Sequence, residues 1–283
     1  MPEVDSPAAD DPAGDASAVM AAWSLQADGQ EYARTRAYVA PVRTSDGQAA
    51  TLKIAAPGPG TAHEHLVLRR WDGHGAVRLL RADPHRRAIL VERAGRDDLT
   101  AAPDRRACEI VAQLYRRLHV PAMPQLSSLT EDVRRRTLAL ADLPRSAPLP
   151  RRLVEQAITL GRELTVEPAE RVVLHGNLHY RNALAADREP WLAISPRPCN
   201  GDPPYELAPM LWHRFDDLAG NVRDGVRQRF HRLVDGAGFD EDRARAWTLV
   251  RVVHAAADDL RTEPASATTQ LTRYVAIAKA IQD

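Results

Sequence analysis

The 283-residue chain reads as an α+β protein of two lobes, a small sheet-rich N-terminal lobe followed by a larger helical one. Three patterns predict this. Residues 37–56, "AYVAPVRTSDGQAATLKIAA", are two β-branched-rich runs around Ser45-Asp46-Gly47, a hairpin signal. From residue 104 onward the apolar residues recur at helical spacing. Within that helical part, "RVVLHGN" and "WLAIS" read as short strands around a loop.

Taken in order, residues 1–17 are acidic and rich in Pro and Ala, the composition of a disordered tail. Residues 18–94 form the N-terminal lobe. After the hairpin, "TAHEHLVLRRWD" (61–72) predicts a helix with Thr61 as N-cap and Glu64 at capping-box spacing. Strands are expected at 76–82 and 87–94. Residues 95–283 form the second lobe, beginning with "DRRACEIVAQLYRRLH", whose Ile110, Val111, Leu114, Tyr115 and Leu118 share one helical face. "PRRLVEQAITLGRELTV" repeats the pattern, and 222–258 and 266–282 read as three further helices.

Composition removes several function classes. With 38 basic and 38 acidic residues there is no global field to attract nucleic acid or an anionic membrane. No apolar run approaches the roughly 18 residues of a membrane span, and the first residues lack the n- and h-regions of a signal peptide. Cys108 and Cys199 stand far apart without CxxC spacing, which fits a reducing cytoplasm and no cysteine zinc site. Only two of the 38 basic residues, Lys53 and Lys279, are Lys. In a chain that otherwise uses Arg, a Lys inside a strand asks for a task that a compact ammonium performs better than a planar guanidinium.

"LHGNLHYRN" (174–182) and "AISPRPCNGDPPYELAPMLW" (193–212) carry the most specific signal. The first resembles a catalytic loop usually written H-G-D-L-H-x-x-N. The second resembles a metal loop, I-D-P-K-P followed by G-D-P-x-[YF]-[DE]-x-A-P-x-L. In this order and separation they resemble the aminoglycoside and hydroxyurea antibiotic-resistance kinases of the streptomycin 6-phosphotransferase kind, over roughly residues 23–260. The resemblance implies a bilobal protein-kinase-like fold, ATP as cofactor and a small-molecule substrate, and it names no protein partner.

It also implies roles. Lys53 would pair with nucleotide phosphates and with Glu64, eleven residues on; the plain alternative is a surface Lys and a capping Glu. Glu92 and Ala94, in "ILVERA", would stand at the adenine-holding hinge. Arg34, Thr35 and Arg36 occupy the phosphate-loop position without its glycines, either touching phosphate or filling the pocket. Asn177 stands in place of the catalytic Asp, and Ser195 in place of the principal metal-binding Asp. Asn182 remains as a carbonyl ligand, so Mg2+ is expected to bind weakly or not at all. Arg181 and Arg197 either stand in for the missing metal charge or face solvent. His175, Asp202 and Glu206 would support the loop; the 175/179 histidine spacing lies in a loop and lacks the third ligand of a zinc site. Asp216, Asp217, Asp258 and Asp259 either form an acidic mouth for a cationic substrate or are solvated faces.

Three readings stay open at this point. The chain is a pseudokinase with residual nucleotide binding, an active ATP-dependent O-phosphotransferase of an aminoglycoside, hydroxyurea or similar molecule, or a non-catalytic binding module.

Overall fold

A computed structural model describes residues 12–34, 37–56, 58, 60–166, 171–262 and 267–282. They form two compact units. One runs to Gly95 and includes Ala185–Leu192; the other comprises Arg96–Leu184 and the chain from Ala193.

In the first unit, helix α1 (Pro12–Ala22) precedes strands β1 (Gln26–Ala27), β2 (Tyr32–Arg34), β3 (Ala37–Arg43) and β4 (Ala49–Ala55). Helix α2 (Glu64–Trp71) and strands β5 (Leu79–Asp83) and β6 (Ala88–Glu92) follow. The sheet is antiparallel in the order β1-β3-β4-β6-β5, with β2 also paired to β3. Period-two alternation along β4 sends Ala50, Leu52 and Ile54 into a core with Ala40, Val42 and, from α1, Ala16 and Val19. Each fully buried Val, Leu or Ile side chain there contributes about 1.5–3 kcal/mol. The same alternation turns Lys53 to the opposite face, in register with Val39 and Ile89.

Three expectations change here. Residues 12–17, read as part of a disordered tail, belong to α1, because burial of Ala16 and Val19 against the sheet outweighs the polar composition; residues 1–11 lie outside the described residues. The helix after β4 starts at Glu64 with His63 at its N-cap, and Thr61 does not cap it. The Thr61 hydroxyl bonds instead to the carbonyls of Ala56 and Gly58. Third, Ala185–Leu192, expected in the helical lobe, packs with the first unit.

The second unit holds α3 (Asp104–Leu118), α4 (Leu129–Ala141), α5 (Arg151–Leu164), α6 (Ala208–Trp212), α7 (Val222–Ala237), α8 (Glu241–Thr262) and α9 (Ala267–Ala280). Strand β7 (Val172–Leu174) pairs antiparallel with β10 (Cys199–Gly201). The strands β8 (Ala183–Ala185) and β9 (Trp191–Ala193) form a separate ladder. Trp247 and Val250 of α8 pack with Val133 of α4, Leu164 of α5 and Leu174 of β7 in one buried cluster. No helix among the described residues is long and apolar enough to cross a membrane.

Candidate active site

In the first unit, the Lys53 Nζ donates to both Glu64 carboxylate oxygens, at 2.7 and 2.8 Å. The Glu64 side chain is 5% exposed and that of Lys53 14%, so this is a nearly buried bidentate ion pair, unlike a solvated surface contact. Glu64 is thus drawn to the sheet and away from the capping position that its spacing predicts. Glu92 closes β6: its carboxylate accepts from the Arg78 backbone N–H at 2.7 Å and from Arg188 at 2.6 Å. Arg93 turns back on the sheet to Asp28 and the Ala50 carbonyl. Ala94 leads into Gly95, whose N–H donates to the Ala185 carbonyl at 2.7 Å. Thr35, Arg36 and the side chain of Arg34 lie outside the described residues.

In the second unit, the loop after β7 is held from several sides. Glu206, fully buried, accepts from the backbone N–H of His175 and from that of Gly176 at 3.1 Å. Burial pushes its carboxyl up; His119, whose Nε2 lies 3.7 Å away, His175 and Arg251 act against this, and the balance holds it below its ordinary range. Arg251 of α8 donates to the carbonyls of Tyr205 at 2.6 Å and Gly176 at 2.7 Å. Its guanidinium lies 4.2 Å over the Tyr205 ring. Gly176 is therefore gripped on both sides of its Cα, at its N–H by Glu206 and at its C=O by Arg251. Gly176 itself has φ of +74°, and a Cβ there would run into the Arg197 carbonyl.

His175 fixes the next turn. Its Nδ1 accepts from the Asn177 N–H at 3.2 Å and its Nε2 faces the Ile194 carbonyl at 3.1 Å, a pairing that selects the Nε2-protonated tautomer. Asn177 and Ser195 then meet: Asn177 Nδ2 donates to the Ser195 carbonyl at 3.2 Å. Asn182 Nδ2 donates to the Asn177 carbonyl at 2.8 Å. Both amides are thereby oriented, each with its own carbonyl oxygen pointing away from the bond. Ser195 has φ of +55°, a region where Asn and Asp are more at home than Ser.

The turn Tyr180–Asn182 is anchored from below, with Tyr180 OH donating to Asp104 at 3.1 Å and the fully buried Arg229 donating to the same carboxylate at 2.7 Å. His179 stacks on His213 at 3.7 Å between ring centroids. Burial pushes His179 down to about 2, with His213, His175, Arg181 and Arg197 adding to it, and burial followed by Arg181 pushes His213 down to about 4. Asp202 is taken by Arg243 and the Trp247 indole N–H. The four acids read as a possible mouth are each engaged: Asp216 by Arg273, Asp217 by Arg214, Asp258 by Arg136 and Arg261, and Asp259 by Tyr274.

Arg251, His213, Arg229, Asp104 and Arg188 were not foreseen from the sequence. Arg251 did leave a trace, a single cation inside "TLVRVVHAAA", where a charge needs buried partners.

The family model described as aminoglycoside/hydroxyurea antibiotic resistance kinase matches residues 22–262. Among curated relatives, a streptomycin 6-kinase of Streptomyces glaucescens is 40% identical over 250 residues, covering 84% of this chain and 80% of the relative. A hydroxyurea phosphotransferase of Kitasatospora aureofaciens is 40% identical over 241 residues, covering 82% and 68%. Among solved structures, a thermostable mutant of aminoglycoside phosphotransferase APH(4)-Ia in a ternary complex with ADP and hygromycin B aligns with a TM-score of 0.65 at 16% identity, over 93% of this chain and 97% of that one. A choline/ethanolamine kinase family protein from Mesorhizobium loti aligns with a TM-score of 0.66 at 14% identity, over 95% and 92%. These likenesses identify the α+β architecture as protein-kinase-like, and by the family match and the curated relatives the chain belongs to the aminoglycoside/hydroxyurea antibiotic resistance kinases.

Proposed function

We propose that this chain is a nucleotide-binding member of its family in which phosphoryl transfer is weak or absent, a pseudokinase that works in the cytoplasm, where ATP is available. The observation that carries this reading is the contrast between two constellations. The Lys53–Glu64 pair keeps the geometry that places an ammonium for nucleotide phosphates. The loop keeps its supports, Glu206, His175 and Arg251, around positions filled by Asn177 and Ser195.

The chemistry follows from those two residues. The side-chain Oδ1 of Asn177 can accept a hydrogen bond from a substrate hydroxyl and orient it, but it cannot take the proton. Loss of a general base costs on the order of 10²- to 10⁴-fold. Kinases of this fold use Mg2+, and the donor set here does not fit it: the oxygens offered are the Asn182 amide carbonyl and the Ser195 hydroxyl, both neutral. The carboxylates nearest in the motif, Asp202 and Glu206, are committed to Arg243 and Trp247 and to the loop backbone. Without anionic ligands for a hard cation, the charge stabilisation that dominates phosphoryl transfer is lost.

The test is to restore both carboxylates in Asn177→Asp with Ser195→Asp. Wild-type protein should not phosphorylate streptomycin or hydroxyurea above the background of a Lys53→Ala control, and the restored variant should. Wild-type turnover clearly above that background would overturn the proposal.

A second reading has one observation in its favour: relatives named streptomycin 6-kinase and hydroxyurea phosphotransferase are about as similar as 40% identity over most of the chain. On that reading the protein phosphorylates such a small molecule, because loose phosphoryl transfer depends more on positioning than on a base. A binding module that has lost nucleotide altogether would show no thermal shift with any nucleotide.

A further inference from the structure

Helix α3 ends against Glu206. Tyr115 and His119, the residue that caps the C-terminal end of the helix, stand one turn apart, and both address Glu206. The Tyr115 hydroxyl donates to its backbone carbonyl at 2.9 Å, and His119 Nε2 lies 3.7 Å from its Oε1. Packing fixes the imidazole, which lies 5.6 Å from Tyr115 with ring planes 6° apart and 6.0 Å from Phe239. Its Nε2 is buried and makes no hydrogen bond among the described residues. A buried ring nitrogen left unbonded is costly, and here it is set beside a carboxylate. That carboxylate serves the loop after β7: Oε1 accepts from the His175 N–H, and Oε2 from the Gly176 N–H at 3.1 Å. Oε1 thus has the loop backbone as one neighbour and His119 as another.

We propose that His119 is a positioning residue for this loop. With a proton on Nε2 it holds the Glu206 carboxylate in the orientation that grips His175 and Gly176, and so sets where Asn177 stands. A fully buried carboxylate has lost its water and needs polar neighbours. The two loop N–H groups are such neighbours, and an Nε2–H at 3.7 Å adds a third whose attraction is strengthened by the low dielectric. A lone pair at Nε2 would repel Oε1, so the contact selects the Nε2-protonated ring, neutral or charged. The effect then passes along the chain of bonds, since the Asn177 N–H donates to His175 Nδ1 at 3.2 Å. What the loop does to a substrate hydroxyl rests on the reading above; how the loop is held does not.

The experiment reads the loop itself in the full chain, so it gives an answer whether or not the protein transfers phosphate. In wild type, nitrogen NMR of the imidazole rings at neutral pH should show His119 protonated at Nε2; an unprotonated Nε2 overturns the proposal. Amide hydrogen exchange of His175 and Gly176 is then followed in two variants that separate the donor from the ring. His119→Phe keeps a ring against Tyr115 and Phe239 but removes the donor, and both amides should exchange about tenfold faster or more. His119→Gln keeps an N–H donor and loses the ring, and both amides should stay within about threefold of wild type although Tm falls. The reverse order, or equal acceleration in both variants, assigns His119 to packing alone and overturns the proposal. In a Glu206→Gln background, His119→Phe should add no further acceleration; a second full acceleration there would show that His119 does not act through Glu206. If His119→Phe does not fold, the wild-type protonation site and the glutamine variant still decide.

Discussion

Replacing Lys53 by Ala is the natural control for nucleotide binding, and the structure says it should also unsettle the first unit. The substitution leaves Glu64, 5% exposed, without the ammonium that bonds both its oxygens. Removing one partner of a buried ion pair costs about 3–5 kcal/mol, because the other charge stays desolvated. Lys53 is itself 14% exposed, so water can partly reach the gap, and the lower end, about 3 kcal/mol, is expected. At about 2–4 °C per kcal/mol, Tm should fall by about 6–12 °C. Glu64→Gln on top of Lys53→Ala removes the stranded charge and should return about 2 kcal/mol. Thermal unfolding by circular dichroism of wild type, both single variants and the double variant gives the coupling directly. Lys53→Ala with a Tm within about 1 °C of wild type, or strictly additive single effects, would refute the argument. The same cycle decides how lost ATP binding in Lys53→Ala is to be interpreted.

Gly176→Ala combines a positive φ, which costs an L-residue about 1–2 kcal/mol, with a collision against the Arg197 carbonyl. Urea denaturation should show a loss above about 2 kcal/mol. Arg251→Lys keeps the charge but cannot reach the Tyr205 and Gly176 carbonyls together, and each charged hydrogen bond is worth about 1.5–3 kcal/mol. Added to the carboxylate-restored variant, it should lower kcat while the ATP affinity measured by titration stays the same. The stacked histidines set an acid limit. Their folded pKa values lie below the ordinary 6.5, at about 4 for His213 and about 2 for His179, so below pH 6.5 the unfolded chain takes up protons that the folded one refuses. Their contribution to stability is complete above pH 6.5 and declines as pH falls toward 4. His213→Gln should flatten that decline in urea melts between pH 6.5 and 4.

How much of this the sequence disclosed depended on the range of the forces involved. Lys53 stood out because Lys is rare in this chain, yet its partner was assigned two tasks. The Thr61-to-Glu64 spacing fits a local cap, and what decides against it is a strand eleven residues earlier, which the spacing cannot register. Helix α4 was not anticipated, although Ser128, accepting from the Glu131 N–H, is a capping signature in the letters. Its run of Arg134, Arg135 and Arg136 hides the apolar stripe. Helix α1 was hidden differently: small alanines bury well but give little periodic contrast, and acidic neighbours made them read as tail. In the loop, the identities of Asn177, Ser195 and Glu206 were plain from the motif. Arg251 comes to Gly176 from 75 residues away, and Arg229 to Asp104 from 125, distances over which no spacing rule operates.

The ladder between β8 and β9 has a consequence for the order in which the protein can be made. The first unit needs Ala185–Leu192, whose Arg188 satisfies Glu92 and whose Ala185 carbonyl takes the Gly95 N–H. On the ribosome that hairpin arrives about 100 residues after Gly95, a delay of roughly 5–20 s at ordinary synthesis rates. Through that interval the Glu92 carboxylate has the Arg78 N–H but not its arginine, the Gly95 amide lacks its carbonyl, and α3, α4 and α5 are already synthesised. The N-terminal unit is therefore first to emerge and among the last to be finished, and a fragment ending at Gly95 would correspond to no completed stage of folding.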